Sequence, residues 1–193
     1  MSFEEKGYEI IRGAISPELA EFIATEFSIM RSAICYDWGK PTDYSNDPQA
    51  PNSFGWYSPL CFETLLVILK DKVKEVTNKN LESAYSYGRI YYNSSVLTKH
   101  TDRESCQYST TLCLRDDKDF SWPIYLKDFG NNEVEALLSP GDMLIYQGDK
   151  CEHWRNPFFG NEHIQCFLHY VDLDGSHAEF KFDKRVMLGL PKA

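Results

Sequence analysis

Ser139-Pro140-Gly141-Asp142-Met143-Leu144-Ile145-Tyr146-Gln147-Gly148-Asp149-Lys150-Cys151-Glu152-His153-Trp154-Arg155 is the stretch whose reading decides the fold. It opens on a Ser-Pro-Gly turn and passes into a short apolar run over 142–147. A second extended segment follows at Cys151–Arg155. An apolar run of that length beside turn residues reads as a strand.

The same grammar holds on either side. Strands are expected at 84–92, 106–115, 122–127, 133–138, 142–147, 151–155 and 163–172, with a weaker one near 178–182. Asp116-Asp117-Lys118-Asp119, Gly130-Asn131-Asn132 and Phe159-Gly160-Asn161 supply further turns. Seven or eight short strands at this spacing predict a sandwich or barrel, a jelly roll among the options.

Upstream the pattern changes. Residues 8–13 are a short strand-like entry. Ser16-Pro17-Glu18 reads as a helix start, with Ser as N-cap, Pro in the first turn and an acid behind it. That helix is expected to run to about Ser32, with Leu19, Phe22, Ile23 and Phe27 on one face. A second helix at about 59–77 carries Leu65, Leu69, Val73 and Val76 at helical spacing, the stripe of a helix laid on a sheet. Between them, residues 38–58 combine Pro, Asn, Asp and Ser with Trp38, Tyr44, Phe54, Trp56 and Tyr57. So aromatic a loop suits a lid or substrate wall; the plainer alternative is an irregular segment over the core. The expected organisation is one domain over 1–193, with helical support at about 14–78 and a β core at about 84–172.

Composition narrows the function. The chain has 193 residues, 42% of them hydrophobic and 15% aromatic, which suits a globular, β-leaning domain. Its 20 basic and 29 acidic residues give a net charge of −9. That charge argues against nucleic acid or an anionic membrane as the main partner. No apolar run approaches the roughly 20 residues needed to span a bilayer, and the first residues are polar and acidic, unlike a signal peptide. Six cysteines without a CxxC pair suit a reducing, cytoplasmic setting.

The chemistry is announced by His100-Thr101-Asp102, with His153 fifty-one residues after the aspartate. On an extended strand the side chains of His100 and Asp102 lie on one side. Two imidazoles and a carboxylate suit the facial triad of non-haem Fe(II), which leaves coordination positions open; Zn(II) would accept the same donors.

Together these pieces resemble the 2-oxoglutarate/Fe(II)-dependent dioxygenases, the prolyl 4-hydroxylase-like branch in particular. The likeness rests on Tyr91, nine residues before His100; on the triad His100, Asp102 and His153; on Pro140-Gly141-Asp142 leading into Met143–Tyr146; and on a polar pair ten and twelve residues after His153. It implies a mainly β, double-stranded β-helix (jelly roll) with N-terminal helices packed on the sheet. It also implies Fe(II) at the open end of the barrel, 2-oxoglutarate as co-substrate and O₂ as oxidant. The substrate would be a peptidyl side chain or small molecule hydroxylated at a C–H bond. Where the family places Arg or Lys for the far carboxylate of 2-oxoglutarate, this chain has His163, followed by Gln165. A protonated His163 with Gln165 and Tyr91 is one way to hold that carboxylate; Arg155, on the strand face of His153, and Arg89, on that of Tyr91, are others.

Two further function classes remain: a non-catalytic, cupin-like metal- or ligand-binding jelly roll, and a zinc hydrolase. Cys151, two residues before His153, would turn the triad into a closed four-ligand zinc site. His169 reads as a sheet histidine, His177 as an exposed turn residue, Arg103 as a turn residue, and Trp122 as either a pocket wall or packing.

Overall fold

A computed structural model of the chain describes residues 2–38 and 47–191. Tyr44 and the rest of 39–46 lie outside the described residues, as does the side chain of Trp38.

A short helix α1 (Phe3–Lys6) leads into β1 (Tyr8–Ile11) and the long helix α2 (Pro17–Trp38). β2 (Ser53–Tyr57), α3 (Leu60–Ile68) and α4 (Lys70–Thr77) follow. The β region contains β3 (Leu81–Tyr92), β4 (Leu97–His100), β5 (Tyr108–Arg115), β6 (Ile124–Lys127), β7 (Glu133–Ala136), β8 (Met143–Gln147), β9 (His153–Arg155) and β10 (Glu162–Asp172). Two antiparallel sheets result. The larger runs β1-β8-β5-β10-β3-β2 and the smaller β4-β9-β6-β7. This is the expected mainly β jelly roll.

Period-two alternation divides the large sheet between two environments. Leu112, Leu114, Met143, Ile145, Ile164, Cys166 and Leu168 face the helices, in one core with Ile23, Phe27, Phe62 and Leu65. Cys113, Leu144 and Tyr146 face the small sheet, in a second core with Ile124, Leu126 and Ala136. Both sides of β8 are covered, which is why Met143–Tyr146 is continuously apolar. Gly88 on β3 lets the helices settle: a Cβ there would overlap the rings of Phe27 and Phe62.

Several expectations are corrected. The helix expected at 59–77 is two helices meeting at Leu69. α2 reaches Trp38 rather than Ser32. Leu19 and Phe22 point outward, 43% and 70% exposed, while Ala20, Ile23, Ala24 and Phe27 are buried. The buried set keeps helical spacing but includes alanines, which let α2 approach the sheet closely and which a search for large apolar residues passes over. Residues 53–57, read as loop, are edge strand β2 on β3. Residues near 178–182 form a 3-10 turn instead of a strand, with positive φ at Phe182, Asp183 and Lys184.

The Pro-Gly-Asp turn has a structural task. The Asp142 carboxylate accepts from Arg12 Nη1 (2.6 Å), the Gly13 amide (2.9 Å) and the Ser139 amide (3.1 Å). It ties the exit of β1 to the start of β8.

Candidate metal centre and its cavity

The inward face of the large sheet is built by alternate residues of two neighbouring strands. β3 contributes Tyr85, Tyr87, Arg89 and Tyr91. Opposite them β10 places His169, Phe167, Gln165 and His163. The intervening positions, Gly88 and Ile90 against Cys166 and Ile164, turn toward the helices. The small sheet closes over this face with β4 and β9, whose register sets His100 directly opposite His153.

Asp102 follows the end of β4, and the loop brings its carboxylate back toward both histidines. Asp102 Oδ1 lies 3.5 Å from His100 Nε2 and 3.7 Å from His153 Nε2. Each imidazole is oriented through its other nitrogen: His100 Nδ1 donates to the Thr98 carbonyl (2.7 Å) and His153 Nδ1 to the Cys151 carbonyl (2.9 Å). Those bonds leave both Nε2 lone pairs aimed at the point that Asp102 Oδ1 also faces, as metal-binding histidines require. The three residues form a cluster of metal-ligating donors.

The second oxygen of Asp102 is held from behind. Ser109 Oγ donates to Asp102 Oδ2 (2.7 Å) and lies 2.9 Å from His169 Nδ1. A hydroxyl has one proton. With that proton on Asp102, His169 Nδ1–H donates to Ser109. Gly148 leaves room for this arrangement, because a Cβ there would overlap Asp102 Oδ2, Ser109 Oγ and the Cys106 carbonyl. Burial pushes the Asp102 pKa up, but His153, the His100 hydrogen bond, His169 and Ser109 outweigh it and hold the carboxyl well below its usual range. Burial lowers the His153 pKa, whereas the bond to Asp102 overcomes burial at His100 and raises it.

The triad opens on a cavity of about 190 Å³ also lined by Tyr85, Tyr87, Arg89, Tyr91, Phe167 and His169. Arg89 is paired there: Nη2 with Asp47 (2.6 Å) and Nη1 with Ser53 Oγ (2.9 Å).

His163 and Gln165 stand together beside Trp122 and Tyr91. Neither lines the triad cavity, nor does Arg155; Tyr91 does. Gln165 Nε2 donates to His163 Nε2 at 2.5 Å and Gln165 Oε1 accepts from Thr111 Oγ1 at 2.7 Å. The edge of Trp122 meets His163 at 5.2 Å and Tyr91 at 4.8 Å between ring centroids. Burial, then the Arg155 charge, pushes the His163 pKa well below its ordinary value. The lowered pKa favours a neutral imidazole in the ligand-free chain.

Arg155 is the cation of this region. It is 2% exposed. Its Nη1 donates to the Trp122 carbonyl (2.6 Å), and its guanidinium lies over the Trp122 ring. Among the described residues no carboxylate pairs with it, and its Nη2, the Tyr91 hydroxyl and His163 Nδ1 are buried without a partner. The charge of Arg155 is felt at both Tyr91 and His163.

Other residues resolve simply. Cys151 Sγ donates to the Gly7 carbonyl, so it stands apart from the triad and the closed four-ligand site is not formed. Trp122 is packed, with Nε1 bound to the Asn156 carbonyl. Arg103 forks onto Asp183 (2.8 and 3.0 Å), which ties the C-terminal turn to the loop carrying Asp102. Ser109 and His169 were not singled out as site residues. Their partnership with Asp102 arises only when β5 and β10 lie side by side.

The fold, a mainly β jelly roll, matches solved structures that include a prolyl-4-hydroxylase and proteins solved with nickel or Fe3+ and 2-oxoglutarate or alpha ketoglutarate. Among solved structures, a Pseudomonas putida prolyl-4-hydroxylase matches with a TM-score of 0.66 at 13% identity, over 88% of this chain and 95% of that one. HygX from Streptomyces hygroscopicus, solved with nickel and 2-oxoglutarate, matches with a TM-score of 0.63 at 16% identity, over 88% and 84%. The epimerase SnoN, in complex with Fe3+, alpha ketoglutarate and nogalamycin RO, matches with a TM-score of 0.69 at 11% identity, over 88% and 80%. No family model and no curated protein matches the sequence.

Proposed function

We propose that the protein is an Fe(II)- and 2-oxoglutarate-dependent dioxygenase that hydroxylates a C–H bond of a small-molecule or peptidyl substrate. The observation that carries the reading is the pairing of two half-sites. Three donors converge from one side on the cavity, and a buried Arg155 stands beside the Tyr91 hydroxyl, the one without a counter-ion and the other without a partner among the described residues. An isolated buried charge is costly, and a carboxylate ligand would relieve that cost.

His100, Asp102 and His153 would hold the metal. Fe(II) with 2-oxoglutarate and O₂ would supply the oxidising chemistry, releasing succinate and CO₂. Arg155 and Tyr91 would receive the far carboxylate of 2-oxoglutarate. His163 and Gln165, tied to each other and to Thr111, would brace that end and offer the His163 Nδ1 proton. Arg89 is a poorer anchor because Asp47 and Ser53 already occupy it; it suits orienting a polar group of the substrate. Tyr85, Tyr87 and Phe167 would exclude water from the reacting carbon. The cavity favours a small reacting group. The acidic chain fits a partner other than nucleic acid or membrane, and no described helix is long and apolar enough to cross a bilayer. Six free cysteines fit a cytoplasmic setting, and the whole chain would act as one catalytic domain.

Anaerobic addition of Fe(II) and 2-oxoglutarate tests this reading. A weak visible charge-transfer band is expected, absent in His100→Ala, followed by succinate release in air. No band and no succinate, with tight Zn(II) binding instead, would overturn it and favour a hydrolase or a non-catalytic binding module.

A further inference from the structure

Asp102 belongs to two clusters. Besides the triad, its carboxylate, the Cys106 thiol and the His169 imidazole bring one donor atom each to within 4.8 Å of one another. All three are held by neighbouring structure. Cys106 closes a 3-10 turn (Glu104–Cys106), and its Sγ lies 3.1 Å from the Tyr85 hydroxyl. The Tyr85 ring packs on His169 at 4.5 Å between centroids. Ser109 Oγ links His169 to Asp102. The cluster is reached from two sides, because Asp102 and His169 line the triad cavity while Asp102 and Cys106 line a neighbouring depression with Arg103 and Glu104.

We infer that Asp102, Cys106 and His169 form a second metal site, selective for thiophilic divalent cations such as Zn(II) or Cd(II), whose occupation withdraws Asp102 from the triad. Donor chemistry separates the sites. The triad offers two nitrogens and an oxygen, which suit Fe(II); replacing one nitrogen by sulfur favours softer ions. Binding exchanges the Cys106 S–H bond for an S–metal bond and releases the proton to water, without change of oxidation state. A cation there competes for the same Asp102 that Fe(II) needs, so a trace thiophilic metal would act as an inhibitor at a site beside the reacting one. The site stands on its own geometry; only its inhibitory consequence rests on the iron reading.

Cd(II) is the probe, read by the ultraviolet thiolate-to-cadmium charge-transfer band. The band is expected in the wild-type chain and in a His100→Ala/His153→Ala double variant, which lacks both imidazoles of the triad. It should disappear in Cys106→Ser and weaken at least about tenfold in Cd(II) affinity in His169→Gln, a loss of the size seen when a metal-site group is removed. The Cys106→Ser result counts where its circular dichroism matches the wild type; otherwise His169→Gln decides. A band of undiminished strength in Cys106→Ser, a band lost in the double variant, or no band in the wild type would each overturn the proposal. Failure of the iron reading is read separately, from the Fe(II)/2-oxoglutarate band, and leaves the Cd(II) result standing.

Discussion

The Asp102 region and the Arg155 region follow opposite electrostatic plans. Around Asp102 the charge is answered before any ligand arrives. Two imidazoles face one carboxylate oxygen, and Ser109 and His169 secure the other. Around Arg155 the charge is left open. Among the described residues a buried guanidinium has one hydrogen bond, to a backbone carbonyl, and the neighbouring donors of Tyr91 and His163 are also unpaired. The first region can fold as a complete network. The second has donors in excess and acceptors missing, and that imbalance specifies an anion.

The contrast is broken most severely at Asp102. Asp102→Ala removes the only anion of the triad and leaves Ser109 without its acceptor. It should abolish turnover and metal retention together, measured by succinate release and by iron content after gel filtration. Arg155→Met should behave in the opposite way. It removes an uncompensated buried charge, so the ligand-free protein should become more stable, on the order of 1–4 kcal/mol. For a chain of this size that is a rise of about 2–4 °C in Tm per kcal/mol. The same variant should lose a charge-assisted hydrogen bond to the co-substrate, raising the KM for 2-oxoglutarate roughly 10- to 100-fold with iron affinity unchanged. A thermal scan with and without 2-oxoglutarate separates the effects, because the ligand should raise Tm in the wild type and not in the variant. A destabilised Arg155→Met would show that Arg155 has a partner in the folded chain and would remove the argument for an anion there.

How much of this was legible in the sequence follows the same division. His100, Asp102 and His153 were readable because two sit at strand spacing and the third lies in another strand. The apolar run at 142–147 and the turn-bounded segment at 163–172 carried the sheet. The role of Arg155 was readable only as one option among several, since the choice depends on which cation is already paired. Arg89 finds Asp47 and Ser53, and Arg155 finds no carboxylate among the described residues. Ser109 carried no signal at all: a serine in a strand acquires its role from the aspartate and histidine that folding sets on either side. β2 was hidden for another reason. Its residues are polar and aromatic with no clear alternation, and they are a strand because β3 offers an edge to pair with.

Ser109 sharpens the comparison at smaller cost. Ser109→Ala removes a group that touches Asp102 but not the cation, so it should weaken metal affinity roughly 10- to 100-fold, the range for such supporting hydrogen bonds. The KM for 2-oxoglutarate should stay unchanged once iron is saturating. Ser109→Thr, which keeps the hydroxyl, should restore most of the affinity. An effect of Ser109→Ala on both constants would mean that the two regions are mechanically coupled.

The mildest test is pH. A histidine whose folded pKa lies below its unfolded value takes up a proton more readily when unfolded. The unfolded state therefore binds more protons on acidification, and stability falls as pH drops through the ordinary histidine pKa of about 6.5. His163 is such a group. Asp102 is depressed as well, but from the ordinary carboxylate value of about 3.9, so its contribution is retained until pH falls below roughly 4. The Arg155 region should thus lose stability in mild acid before the carboxylate contribution of the Asp102 region does. Urea unfolding of the metal-free protein between pH 7 and about pH 5 should show the decline, and His163→Gln should flatten part of it, the remainder coming from His153 and His169, whose pKa values are also lowered. 2-Oxoglutarate should shallow that part of the slope, since a carboxylate bound beside His163 favours its protonated form and draws its pKa back up. A His163→Gln profile that matches the wild type throughout would show that folding does not lower the His163 pKa.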